Sequence, residues 1–184
     1  MYSPENLEVT PDEWEWRKSF YGFEPADEKR LKGVKALAES FVHEVVDELY
    51  SIFKQHQETN RLILDEETLE RLKESQNRYF LELFSGDYGE EYLRQRLKIG
   101  RVHHHIGLEL EWYLGAYTHY QRLTQPRLME LYPTDVKAGL QVIDSMQKLI
   151  TLDQSLSVTA YMAAREEQIR AQADQIEQLS SLVE

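Results

Sequence analysis

The chain has 184 residues, enough for one domain with a sizeable core and some additional helix. Its 33 acidic and 21 basic side chains give a formal charge of -12, which argues against nucleic acid or an anionic membrane surface as ligand, since both are held mainly by Lys and Arg. There is no cysteine, so disulfides, thiolate zinc sites, iron–sulfur clusters and prosthetic groups attached through thioethers are excluded. The acidic start MYSPENLEVTPDEWEW has no apolar centre and is not a signal peptide. No apolar run approaches the ~18 residues of a membrane span, and the expected setting is the cytoplasm.

Only 8 Gly and 5 Pro occur, with no proline between positions 27 and 125, and nearly the whole chain carries a helical period. Pro11-Asp12-Glu13 suits the first turn of a short helix, on which Trp14, Trp16 and Phe20 are expected to form a sticky surface. The segment from Pro25 to about Gln55 is expected to be helical, with a break near Gly33 or Ser40. Its second half sets Phe41, Val45, Leu49 and Ile52 on one side, with Tyr50 and Phe53 beside them. Asp65-Glu66-Glu67 opens a helix through Leu69, Leu72, Gln76, Phe80 and Leu83 that stops at Ser85-Gly86-Asp87. Residues 88 to 107 form the next, ended by Gly107. Another runs from about Glu109 to Tyr132, and Pro126 within it implies a kink. After Pro133 one helix is expected to continue to about residue 179, its stretch from Ala163 to Glu177 being a polar connector. The class is all-α, with the domain over 1–162 and a helical linker over 163–184 leading toward an output domain.

The most informative stretch is Ile99 to Leu108. At 3.6 residues per turn, Ile99, Val102, His103 and Ile106 share one face. An imidazole in such a stripe is either a hydrogen-bonded core histidine or an axial ligand to a buried cofactor. His104 and His105 cannot join it on one ion, because successive helical residues point ~100° apart. His105 falls beside Lys98 and Arg101 and should be solvated. A di-iron bundle would need Glu-x-x-His pairs, and none of the 6 histidines has Glu three residues before it. His43-Glu44 lacks the second histidine of a metalloprotease and is a surface pair. No phosphate-binding loop, dinucleotide fingerprint or Ser/His/Asp order stands out, so the chain is expected not to be an enzyme. Tyr50 is either core or a hydroxyl donor in a dry pocket. Ser75 sits mid-helix, where serines commonly bond back to a carbonyl.

The order Leu49-Tyr50, Leu72-Lys-Glu-Ser75, Leu83-Phe84-Ser-Gly86, then Tyr92-x-x-x-Arg96-x-x-Ile99-Gly100-x-x-His103-x-x-Ile106-Gly107-Leu108 and Trp112-Tyr113-x-Gly115-Ala116-Tyr117 resembles the sensor globins. These are the haem domains of bacterial globin-coupled sensors and the related protoglobins, and the resemblance spans roughly residues 10 to 160. It implies a globin fold with an extra N-terminal helix and a long C-terminal H helix. It further implies non-covalent haem b, with His103 as the proximal ligand to the metal on the F helix. Tyr50 matches the distal B-helix tyrosine that hydrogen-bonds dioxygen in the family. Ser75 falls where relatives carry Thr, Leu or a second His, so an open sixth site is favoured over bis-histidine haem, with Ser75 a second dioxygen contact. Leu72 lies one turn before it on the haem side. Ile99 and Ile106 flank His103, and Trp112 and Tyr113 match G-helix aromatics on the proximal side.

The function so implied is a gas sensor, for dioxygen and also open to carbon monoxide or nitric oxide. Such domains form homodimers through their G and H helices, and the H helix leads to an output module. Gln175 to Ser181 resembles the lead-in to a STAS domain of stressosome proteins; diguanylate cyclase, kinase and chemotaxis modules are other outputs of such globins. The rival is a haemless globin-fold interaction module of the stressosome type, in which His103 would be ordinary core.

Overall fold

A computed structural model of the chain describes residues 9–181. Among them there are helices and no strands: α1 (Pro11–Phe20), α2 (Pro25–Gly33), α3 (Lys35–Phe53), α4 (Gln57–Asn60), α5 (Glu66–Glu82), α6 (Glu90–His105), α7 (Leu110–Met129) and α8 (Val136–Ser181). The helix starts follow local chemistry. Thr10 and Glu13 form a reciprocal capping box at α1, with Glu13 N donating to Thr10 Oγ1 at 3.2 Å and Thr10 N to Glu13 Oε2 at 2.8 Å. The Asp65 carboxylate caps α5 by accepting from Thr68 N at 2.7 Å. The expected break lies at Val34, which stands between α2 and α3 with φ -105° and ψ 6°. Gly107, at φ +73°, turns the chain out of α6.

Two expectations need correction. Trp14 is not surface: it is 1% exposed, and its indole Nε1 donates to the Tyr88 carbonyl at 2.7 Å. Trp16 and Phe20 are exposed and stack on each other. Trp14 differs because it points the other way around α1, toward the Tyr92 ring of α6. At its C-terminal end α7 runs through Pro126 and ends at Met129, short of Tyr132.

The long α8 is the spine, with α2, α6 and α7 packed along it; α3 packs on α5 and α7. The α6–α8 approach is close at Gly100, where a Cβ would meet the Ala160 Cβ at 2.8 Å and the Ser157 Cα at 3.3 Å. Only a residue without a side chain lets the two backbones come so near.

Between these helices lies a buried ionic cluster. Asp153 of α8 is fully buried and accepts from the hydroxyls of Tyr92 at 2.9 Å and Tyr79 at 3.1 Å. Arg96 Nε of α6 lies 3.3 Å from Asp153 and its Nη1 lies 3.1 Å from Glu82. No guanidinium nitrogen is aligned for a hydrogen bond, and the cation is instead sandwiched between the Tyr79 and Tyr92 rings at 4.1 and 4.2 Å. The cluster ties α5, α6 and α8 together.

Beyond Tyr161, α8 runs out of the packed core and residues 165–180 are exposed, although the Glu167 carboxylate still accepts from Arg101 of α6 at 2.9 and 3.0 Å. No helix among the described residues is long and apolar enough to cross a membrane.

Candidate functional site

The two faces of α6 have different fates. Leu93, Arg96, Leu97 and Gly100 are buried toward the interior. The Ile99–His103 face is not: Val102 and Ile106 remain 47% and 42% exposed, because α5 packs on α3 and α6 on α8, which leaves a gap between the two helices. The gap is a cavity of about 800 Å³, within the ~300–1,000 Å³ range of cofactor sites. The apolar stripe around His103 is therefore a cavity wall and not part of the packed core.

The residues that the resemblance to sensor globins points to as haem contacts all line this one space. Tyr50 and Phe53 enter from α3, Leu72 and Ser75 from α5, Ile99, His103 and Ile106 from α6, and Trp112 and Tyr113 from α7. His103 Nδ1 lies 2.8 Å from the Ile99 carbonyl. A carbonyl can only accept, so Nδ1 carries the proton and the lone pair is on Nε2. Burial pushes the imidazole below its ordinary pKa, outweighing the Ile99 bond that raises it, and keeps the ring neutral as a metal ligand must be. The Tyr113 ring, 4.5 Å away, fixes the imidazole laterally, and Tyr113 and Tyr117 share a hydroxyl hydrogen bond of 3.1 Å. Trp112 sits farther along the wall against His56. His104 turns to the Tyr161 ring and His105 is exposed, so the triplet diverges as the helical period requires.

In the same cavity, Tyr50 is 7% exposed and burial raises its hydroxyl well above the ordinary tyrosine pKa. It therefore remains a proton donor at any physiological pH. Ser75 Oγ accepts from Arg78 Nη2 at 3.3 Å, which leaves its own proton free to donate. Several groups found here carry little site signal of their own in the sequence. Gln76 lines the cavity, as does Tyr120, whose buried hydroxyl has no hydrogen-bond partner among the described residues. Gln76 was the one signal available, a polar side chain within an apolar helical stripe. Leu62, Ile63 and Leu64, between α4 and α5, close another wall, with Leu64 80% exposed.

These features fit a planar, largely apolar group carrying a metal. The walls are largely apolar, large side chains stay uncovered along them, one neutral imidazole offers its Nε2, and the Tyr120 hydroxyl, unpartnered among the described residues, shares the space. Among the described residues no group of three or more His, Cys, Asp or Glu could hold a bare ion, so a metal would come within a prosthetic group.

An all-helical sandwich of this kind, with a histidine-lined gap between its fifth and sixth helices, has the architecture of a globin. A model of the protoglobin family matches residues 10–167, and the chain belongs to that family. The "Heme-based aerotactic transducer HemAT" of Halobacterium salinarum is 30% identical over 181 aligned residues, covering 91% of this chain and 36% of that protein. The chain thus spans about a third of its relative's length. Among solved structures, the globin domain of the Geobacter sulfurreducens globin-coupled sensor superposes with a TM-score of 0.76 at 22% identity, covering 80% of this chain and 96% of that one. The globin domain of the E. coli DosC, in its ferric form, gives 0.65 at 18% identity, over 80% and 97%.

Proposed function

We propose that this chain is a haem-based gas-sensing domain whose ligand is dioxygen. The observation that carries this is the orientation of α6: its His103 face opens on the cavity, with the Nε2 lone pair available and a protonated tyrosine, Tyr50, lining the same space. Haem b, bound without covalent attachment and held through His103, would supply an iron able to bind a diatomic gas. His103 would donate Nε2 to that metal, its Nδ1–H bond to Ile99 fixing ring and tautomer. Leu72, Ile99, Ile106, Trp112 and Tyr113 would cover the apolar ring and exclude water. The kinship with a haem-based transducer supports the same reading.

Tyr50 discriminates among gases. Dioxygen polarises strongly on binding and carbon monoxide does so little, so a fixed hydroxyl donor in a dry space favours the former. A hydrogen bond of ~1–1.5 kcal/mol corresponds to about tenfold in affinity. Tyr50→Phe is expected to speed dioxygen dissociation about tenfold while leaving carbon monoxide binding within about threefold, measured by flash photolysis and stopped-flow. Equal changes for both gases would remove Tyr50 from this role. Ser75 would be a weaker second donor, oriented by Arg78.

Signalling would pass from α6 to α8. The close Gly100 approach and the Arg96–Asp153 cluster make α6 and α8 shift together, and Tyr113 couples His103 to α7. We place the sensing domain at 1–162 and read residues 163–184 as the linker to an output module of stressosome, cyclase, kinase or chemotaxis type. Two copies would pair through α7 and α8, so that a ligand favouring one packing shifts the dimer. Sedimentation of the haem-loaded protein at micromolar concentration should give a dimer mass; a monomer would overturn this part of the reading.

A further inference from the structure

The charges around the cavity run against the balance of the chain. The protein has 33 acidic and 21 basic side chains, yet the cavity is lined by Arg61, Arg71, Arg78 and Lys98 against a single acid, Glu82. That acid is already engaged, its carboxylate 3.1 Å from the buried Arg96. Arg71 and Arg78 lie two turns apart on one face of α5 with Ser75 between them, and Lys98 stands on α6 one turn before Val102. All three cations are exposed. None makes an ion pair with a carboxylate among the described residues: Arg71 lies only near enough to the Asp65 carboxylate to help lower its pKa, and Arg78 makes a 3.3 Å bond to Ser75. Arg61 is differently employed: it donates to the Gly107 carbonyl and so ties the α4–α5 loop to the α6–α7 turn.

A cavity that is apolar within and cationic along one opening suits a flat hydrocarbon ligand bearing carboxylates on a single edge. Haem has that chemistry, with two propionates on one edge and hydrocarbon substituents on the opposite one. We infer that Arg71, Arg78 and Lys98 form the subsite for the two haem carboxylates, at the mouth between α5 and α6. This rests on the reading of the cavity as a haem pocket. The hydrocarbon edge is then directed inward, toward Ala116, Tyr117 and Tyr120 of α7. The three cations fix the rotational setting of the ring, since the reversed setting would bury two carboxylates among tyrosines and aliphatic groups. Exposed ion pairs are individually weak, so the rim acts on orientation and on the rate of haem loss more than on whether haem binds. Arg78 would serve twice, orienting Ser75 while facing a carboxylate.

The test is the rate of haem loss from the loaded protein to excess haem-scavenging apoprotein, followed optically. Arg71→Gln, Arg78→Gln and Lys98→Gln should each speed loss about 2–5-fold and the triple variant roughly 10–100-fold. Loss from the unaltered protein should also quicken as salt is raised. Iron protoporphyrin dimethyl ester, which has no free carboxylates, should leave the unaltered and triple-variant proteins equally fast. If the unaltered protein takes up no haem, the pocket reading itself falls. If it takes up haem but the triple variant retains it as long, or Arg61→Gln alone reproduces the triple effect, the rim assignment is overturned and the pocket stands. Should the triple variant fail to fold, the salt and ester measurements decide: haem loss insensitive to both overturns the subsite.

Discussion

His103→Ala is expected to abolish stable haem binding while leaving the helical fold intact. The imidazole anchors no other element: its polar contact among the described residues is to Ile99 on its own helix, and its ring lies against Tyr113. The buried face of α6, formed by Leu93, Arg96, Leu97 and Gly100, is untouched. Removing even an outer partner of a metal ligand costs about 10–100-fold in affinity, so removing the ligand should cost at least the upper end of that range. His104→Ala and His105→Ala should retain haem, because those rings face Tyr161 and solvent. Absorbance after haem titration, beside far-ultraviolet circular dichroism, reads both quantities. A variant that binds haem as tightly as the parent would show that another group holds the iron.

Arg96→Met is expected to produce the largest loss of stability. Asp153 would keep its two tyrosine donors but lose the only cation near it among the described residues, and breaking a buried pair from one side costs about 3–5 kcal/mol. The effect has a pH signature. Burial pushes Asp153 up to about 6 even with Arg96 and two hydroxyl donors drawing it down. Its folded pKa thus lies above the ordinary aspartate value of 3.8, so the native state binds the extra proton between those values. The stabilisation from that protonation is fully present below about pH 4 and is lost as pH rises through 6. Without the cation the carboxyl titrates higher still and neutralises itself in acid. The deficit of Arg96→Met should therefore be small near pH 5 and grow above pH 6. Arg96→Met/Asp153→Leu should recover most of it. Denaturant unfolding at pH 5 and pH 8 measures this; a small, pH-independent deficit would mean the pair is solvated.

The helices themselves were legible because their signals are local. Pro11-Asp12-Glu13, Asp65-Glu66-Glu67 and Gly107 each mark an end by composition within a single turn. α4, a single turn at Gln57–Asn60, is too short to carry a period. The burial of Trp14 is not legible locally, because its partners, Tyr88 and Tyr92, lie more than seventy residues away in the chain. The stripe of Ile99, His103 and Ile106 was visible, but a hydrophobic period reports only a shared face. Whether that face meets a core or a cavity depends on how far α5 stands from α6. The buried Asp153 was invisible for the same reason: on a long helix rich in polar residues nothing marks one carboxylate as interior until Arg96, Tyr79 and Tyr92 converge on it. Gln76 and Tyr120 gain meaning only from the opposite wall.

The kinship with a haem-based transducer, the open gap and the poised imidazole all lead to one measurement. Apoprotein titrated with haem should give a sharp Soret band that saturates at one haem per chain, and the reduced complex should shift that band on exposure to carbon monoxide. A broad, unsaturating spectrum, indistinguishable from free haem in buffer, would contradict the account.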